Sequence, residues 1–143
     1  SGIIVDPEGS PLIPELFWAV SDAWTPKAVR VTSRPEGAEW VLSGDAAAAR
    51  WGAPVLAHRD RYYCTSRRTL DRFAHVHPSE VESSVEVALA PTPLVIATAR
   101  EGLVHPVVAA LDLSRSARGR EILRGWIRVS DDIGNHGVRA AWQ

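Results

Sequence analysis

Six tryptophans stand in a chain of 143 residues that carries a single cysteine. With Cys64 alone no internal disulfide forms, so the fold must be held by packing. Each indole can bury on the order of 200 Å², and a few of them suffice to anchor one core. A domain of this length buries roughly two-thirds of the surface its unfolded chain exposes, so it needs no staple. The 45% apolar and 23% charged content is globular and excludes the composition of a disordered chain.

Short elements follow from the punctuation. The longest apolar candidate, Val87–Ala99, is interrupted by Pro91 and Pro93, which excludes a helical membrane span. No charged-then-apolar leader opens the sequence, and the lone cysteine agrees with a reducing compartment, so a cytoplasmic location is expected. Ser1-Gly2 and the lack of methionine suggest a tag remnant. Residues 1–14 are therefore expected to be tag remnant and linker or loop. Residues 15–143 are expected to be a single domain, the C-terminal fragment of a longer protein.

Periodicity sets the expected elements. Leu16, Phe17, Val20 and Trp24 share a helical face over Glu15–Trp24, stopped by Thr25-Pro26. Ala28–Thr32 and Glu39–Leu42 read as an antiparallel strand pair across Arg34-Pro35-Glu36-Gly37. Alanine-rich Asp45–Trp51 reads as a helix capped by Ser43 or Asp45 and ended by Gly52. Val55–His58 and Arg61–Thr65 resemble a second strand pair, and Ser66–Phe73 a helical turn. Val81, Ser83, Val85, Val87 and Leu89 alternate, the clearest strand signal in the chain. Leu94–Ala97 is a further strand candidate. His105-Pro106 opens a helix with proline at its favoured first position, and Ala117–Arg124 repeats the helical pattern up to Gly125. Ile127–Val129 and Val138–Trp142 then flank a hairpin-like loop over Asp131–Gly137. The mixed order predicts an α+β fold, one domain with short antiparallel strands and three to four short helices.

Net charge is −1, so the chain as a whole lacks the footprint of a nucleic-acid binder. The charge is uneven, however. Residues 1–45 hold seven acids against three bases, whereas Arg59–Arg72 holds five arginines against two aspartates and Arg115–Arg128 five against one glutamate. Arg59, Arg61, Tyr62, Arg67, Arg68 and Arg72 mix cations with an aromatic, a combination suited to phosphate contact and base stacking. Arg120, Arg124 and Arg128 fall on one helical face, opposite Ile122, Leu123 and Trp126. These two arginine-rich segments are the candidate surfaces for a nucleic acid or a protein partner.

Catalytic signals are sparser. His75 and His77, two apart on a strand, would face the same side and reach one metal, but no spacing fixes the further ligands among His58, Glu80, Glu82 and His105. Cys64 beside His58 would suit a thiol nucleophile, yet a lone cysteine in an apolar strand also suits a core position. Asp131-Asp132 reads as a solvated turn. No phosphate-binding loop, dinucleotide fingerprint, nucleophile elbow or zinc-protease motif occurs. No cofactor is expected. A small metal- or thiol-dependent enzyme stands as the alternative to a binding module.

Three phrases carry a resemblance: Leu16–Trp24, Ser43–Pro54, and His105–Leu113 running into Ala117–Leu123. Together they resemble the C-terminal region of actinobacterial helix-turn-helix regulators similar to AbiE-type (type IV) antitoxins. The resemblance implies a winged helix upstream of this chain and a C-terminal domain for a partner, an effector or extra nucleic-acid contacts. In the antitoxin version the partner is a nucleotidyltransferase-like toxin. No winged helix is visible in the chain itself. The matching phrases carry shape: a helix stop before a strand, and a helix packing face on which Asp112 is expected to cap or to pair with an arginine such as Arg115.

Overall fold

The computed structural model describes residues 14–55, 59–79 and 85–132, with side chains described within 19–126 of these. In chain order the elements are α1 (Pro14–Ala23), β1 (Ala28–Arg30), β2 (Val41–Ser43), α2 (Gly44–Arg50), β3 (Asp60–Cys64), α3 (Arg67–Val76), β4 (Val85–Leu89), α4 (Leu94–Ala97), α5 (Pro106–Leu113) and α6 (Ala117–Asp132). The α+β class holds. The described residues form six helices, more than the three or four expected, and a four-stranded sheet in the order β1-β4-β3-β2.

The alternating run does form a strand, at Val85–Leu89, and it lies inside the sheet; its expected start, 81–84, lies outside the described residues. Val85 and Val87 pack on one side with Val31, Trp40, Cys64 and Leu70. Ala88 packs on the other with Trp24, Tyr63, Ala47, Ala48 and the apolar residues of α5. Period two therefore feeds two cores, one under α3 and one under α2 and α5. The central strands β3 and β4 are thus covered on both faces, whereas the edge strand β1 is exposed.

Two strand expectations are corrected. β1 and β2 do not pair with each other. They are the two edges of the sheet, β1 antiparallel to β4 (Val29 opposite Val87) and β2 antiparallel to β3 (Leu42 opposite Tyr62). The central pair, β3 and β4, is parallel, with Asp60 opposite Val85 and Cys64 opposite Leu89. A parallel pair needs a crossover, and α3 supplies it. Ser66 caps α3 by accepting from the Thr69 N–H at 3.2 Å, and the helix runs three residues past the expected end. The expected partner strand at Val55–His58 lies largely outside the described residues.

Leu94–Ala97 is a helical turn rather than a strand. Pro93 already has helical backbone angles, the Thr92 hydroxyl accepts from the Leu94 N–H, and the Thr98 hydroxyl donates to the Leu94 carbonyl. A proline preset to helical angles and two local hydrogen bonds outweigh the β preference of Leu-Val-Ile, which is a weak prior. Ile127–Val129 is helical too, because α6 passes through Gly125 and continues to Asp132. Trp126, fully buried, lies one residue beyond that glycine, and its burial offsets the roughly 1 kcal/mol that glycine costs a helix. Asp131 and Asp132 therefore belong to a helix end, and residues 133–143 lie outside the described region.

The tryptophans act as anchors. Trp126 donates its indole N–H to the Trp51 carbonyl at 3.2 Å, and Trp51 donates to the Val104 carbonyl at 2.9 Å. Trp40 meets Phe73 of α3 edge-on at 5.4 Å. The indoles of Trp51 and Trp126 thus keep their polar atoms satisfied.

The junction of β2 and α2 depends on Gly44, whose φ is +73°. A Cβ there would lie 2.9 Å from the Arg59 carbonyl oxygen and 3.0 Å from the Arg61 nitrogen. Left-handed backbone costs a side-chain-bearing residue about 1–2 kcal/mol, and the β3 backbone has no room to retreat. Gly44→Ala is expected to lower stability by about 2 kcal/mol or more, read as a shift in the urea unfolding midpoint.

Candidate functional site

Arg61 and Tyr63 alternate with Tyr62 on β3, so both point to the face covered by α5. There they meet Asp112, in the last turn of that helix. The Oδ1 atom of Asp112 accepts from the Arg61 guanidinium at 2.9 Å, the Tyr63 hydroxyl at 2.7 Å and the Trp24 indole N–H at 2.9 Å. Its Oδ2 accepts from the Ser43 hydroxyl at 2.5 Å. Glu86, beside Arg61 across the parallel pair, accepts from the guanidinium Nε at 2.8 Å and lies 2.6 Å from a terminal nitrogen. The Asp112, Glu86 and Arg61 side chains are 4%, 8% and 19% exposed, so this is an interior cluster.

Burial works against the Arg61 charge, but Asp112, Tyr63 and Glu86 outweigh it and hold the guanidinium above even its ordinary range. Tyr63 is pushed up as well. Burial is the larger cause and the neighbouring Asp112 carboxylate the next, with Arg61 opposing both. One cation faces two carboxylates here. The hydroxyl and indole donors on Asp112 offset the surplus negative charge, as a buried charge requires.

Arg61 is thereby corrected from a surface residue to an interior one, and Asp112 pairs with it rather than with Arg115. Arg115 instead donates to the Ser21 carbonyl at 2.7 Å. Tyr62 is half-buried against the core under α3, so it offers no free ring for base stacking. The remaining residues of the candidate set are exposed: Arg59 ahead of β3, Arg67, Arg68 and Arg72 on α3, and Arg120 and Arg124 on α6. They do not form one surface. α3 covers one face of the sheet, whereas α6 packs on α5 over the other.

The two arginine helices also differ in what they already hold. On α6, Arg120 donates to the Ser114 carbonyl at 3.1 Å, at the end of α5, and Arg118 pairs with Asp45 of α2 at 3.6 Å. Arg128 has no described side chain. On α3, Leu70 and Phe73 face the core. At about 100° per residue, Arg68 and His75 stand directly opposite and Arg72 about 50° to one side, and all three are exposed. The one carboxylate of α3, Asp71, lies toward Arg67 at 3.9 Å. Arg68 and Arg72 are like charges four apart, a spacing that costs a helix about 0.2–0.5 kcal/mol.

The catalytic candidates do not assemble. His75 and His77 lie at the end of a helix rather than on a strand, so they diverge. His75 is exposed, and the His77 ring lies 4.5 Å from that of Phe73. His105 accepts the Val107 N–H on its Nδ1 and caps α5, as its place before Pro106 allows. Among the described residues no three His, Cys, Asp or Glu side chains gather at metal-binding distance. Cys64 is fully buried, and burial pushes its thiol up while its S–H lies 3.5 Å from the Ser66 carbonyl. His58, Glu80 and Glu82 lie outside the described residues.

An apolar groove of about 320 Å³ opens between α1, α4 and α5, with Val20, Trp24, Leu94, Val95, Val107 and Leu111 among its walls. Leu94, 63% exposed, stands at its rim. No described helix is long and apolar enough to cross a membrane. Comparison with protein-family models, curated proteins and solved structures finds no match to this chain.

Two measurements probe the Asp112 cluster. Asp112→Ala leaves Arg61, Tyr63, Trp24 and Ser43 without their common acceptor and is expected to cost about 3–5 kcal/mol, measured by chemical denaturation. Tyr63 supplies a pH dependence. The unfolded chain loses the tyrosine proton near pH 10, whereas the folded chain retains it. Stability is therefore full below about pH 10 and declines as the pH rises above it. Tyr63→Phe is expected to lower stability by about 1–3 kcal/mol at neutral pH and to remove that alkaline decline, followed by thermal unfolding across pH 8–12 (a range set about the tyrosine value).

Proposed function

We propose that this chain is a non-catalytic, antitoxin-like regulatory module of a cytoplasmic DNA-associated regulator. It acts by holding an anionic partner, nucleic acid or an acidic protein, on its exposed arginines. The observation that carries this reading is the division of the ionisable groups. Inside, Arg61, Asp112, Glu86 and Tyr63 are saturated by one another, and a carboxylate with four donors has no capacity left to move a proton for a substrate. Outside, Arg59, Arg68, Arg72 and Arg124 extend into solvent. A general base or nucleophile needs an open approach and a pKa near the working pH. The thiol of Cys64 is buried and pushed up, and His75 and His77 diverge, so neither can support the other.

The resemblance of three phrases to antitoxin C-terminal regions supports the same reading, since they map to α1, to β2 with α2, and to α5 with α6. Those elements enclose Asp112, so the shared words are the ones that build the frame. Heparin, a polyanion that mimics either class of partner, tests the reading. The chain is expected to be retained at low salt and to elute as salt rises, because exposed charge contacts are screened over about 10 Å at 0.1 M. A variant with Arg68, Arg72, Arg120 and Arg124 all changed to Ala is expected to pass through. Passage of the wild-type chain at low salt would remove the proposal.

A further inference from the structure

We infer that the outward row of α3, Arg68, Arg72 and His75, is a contact surface for the phosphate backbone of duplex DNA. The inference deepens the binding reading above and rests on it. Three observations select this row. First, Arg68 and Arg72 are like charges four apart on the exposed side of the helix, and the one carboxylate of α3, Asp71, although three residues from Arg68, pairs with Arg67 instead. A helix stabilised for its own sake would place a carboxylate at one of the two positions. A local rule broken on an exposed face marks a site whose benefit lies outside the fold.

Second, the row is held rigidly. Leu70 and Phe73 fix α3 to the sheet, with Phe73 wedged between Trp40 and His77. Ser66 fixes its start. The cations therefore stand on a helix whose roll about its axis is set. By contrast Arg120 and Arg118 on α6 already hold protein groups.

Third, the spacing and chemistry suit a polyphosphate. The seven-residue step from Arg68 to His75 spans about 10 Å, long enough to meet about two successive phosphates of one strand, each of which advances about 3.4 Å along the duplex axis. A protein interface instead places an apolar centre inside a charged rim, and here Val76 is the one large exposed apolar side chain of α3. Tyr62 is turned to the core, so no ring from β3 reaches a base. The contact reads charge and shape, and it is indifferent to sequence.

Fluorescence anisotropy with a labelled mixed-sequence DNA duplex tests the assignment on the whole chain. Two arginine–phosphate contacts give a salt slope of about −1.8, so affinity is expected to fall roughly tenfold between about 50 mM and 200 mM salt. R68A/R72A is expected to weaken binding about tenfold at low salt and to flatten that slope. R68K/R72K is expected to retain most of the affinity, since a phosphate accepts a point charge. R50A/R100A, at exposed arginines away from α3, is expected to stay within about twofold of wild type. An unchanged far-ultraviolet circular dichroism spectrum for each variant separates loss of contact from loss of fold. No binding by the wild-type chain at low salt, or equal affinity and slope for R68A/R72A, overturns the inference. So does binding to polyglutamate with the same salt slope and none to the duplex, which assigns the row to an acidic protein. Retention on heparin without duplex binding overturns this inference alone, whereas failure on both removes the regulatory reading as well.

Discussion

A guanidinium enclosed between a sheet and a helix keeps its charge and must be met by acceptors, and Arg61 is enclosed in that way. Desolvating such an ion costs several kcal/mol. Glu86 and Asp112 offset that cost, and their presence creates a second demand, because one cation leaves one carboxylate uncompensated. Trp24, Ser43 and Tyr63 meet it with three neutral donors. The end of α1, the edge strand β2 and the central strand β3 are thus positioned by the lone pairs of a single aspartate on α5. The surrounding apolar packing excludes water, and the aspartate fixes which elements meet.

This use of charge divides the arginines of the chain into two kinds. Arg61, Arg115, Arg118 and Arg120 hold the fold, each on a carboxylate or a carbonyl of another element. Arg68, Arg72 and their neighbours on α3 hold nothing of comparable kind among the described residues, and on the proposed reading a partner supplies what they lack. The net charge of −1 hides the division, since acids elsewhere in the chain balance a face that is locally basic. Charge distribution, not the sum, decides where an anion meets such a surface.

Much of the frame was legible. The helix after Pro14, the alanine-rich helix ended at Gly52, the cap at His105-Pro106 and the alternating strand around Val87 all follow from local rules. What escaped was non-local. Nothing within Ala28–Leu42 distinguishes two paired strands from two sheet edges, because the choice is made by β3 and β4, far along the chain. Leu94–Ala97 has β-type residues, and hydroxyls of Thr92 and Thr98 wind it into a turn. Arg61 looked like surface because it lies in a basic stretch. The available signal was its parity with Tyr63 on a strand, together with Glu86 on the inward-alternating run; read as a pair, they mark a sheet covered on both sides. Asp112 invites a partner among the neighbouring arginines such as Arg115, whereas its actual partner Arg61 lies 51 positions away in the chain.

The parallel pairing of β3 and β4 has a kinetic corollary. Strands joined by a crossover close only after the intervening helix has been laid down, and such long-range closure is slow. The bonds from Arg61 to Glu86 and to Asp112 join positions 25 and 51 apart in the chain, so both require the sheet to have closed. Local winding of α3 or α5 gains nothing from them, and the enclosed ion pair rewards the assembled fold alone.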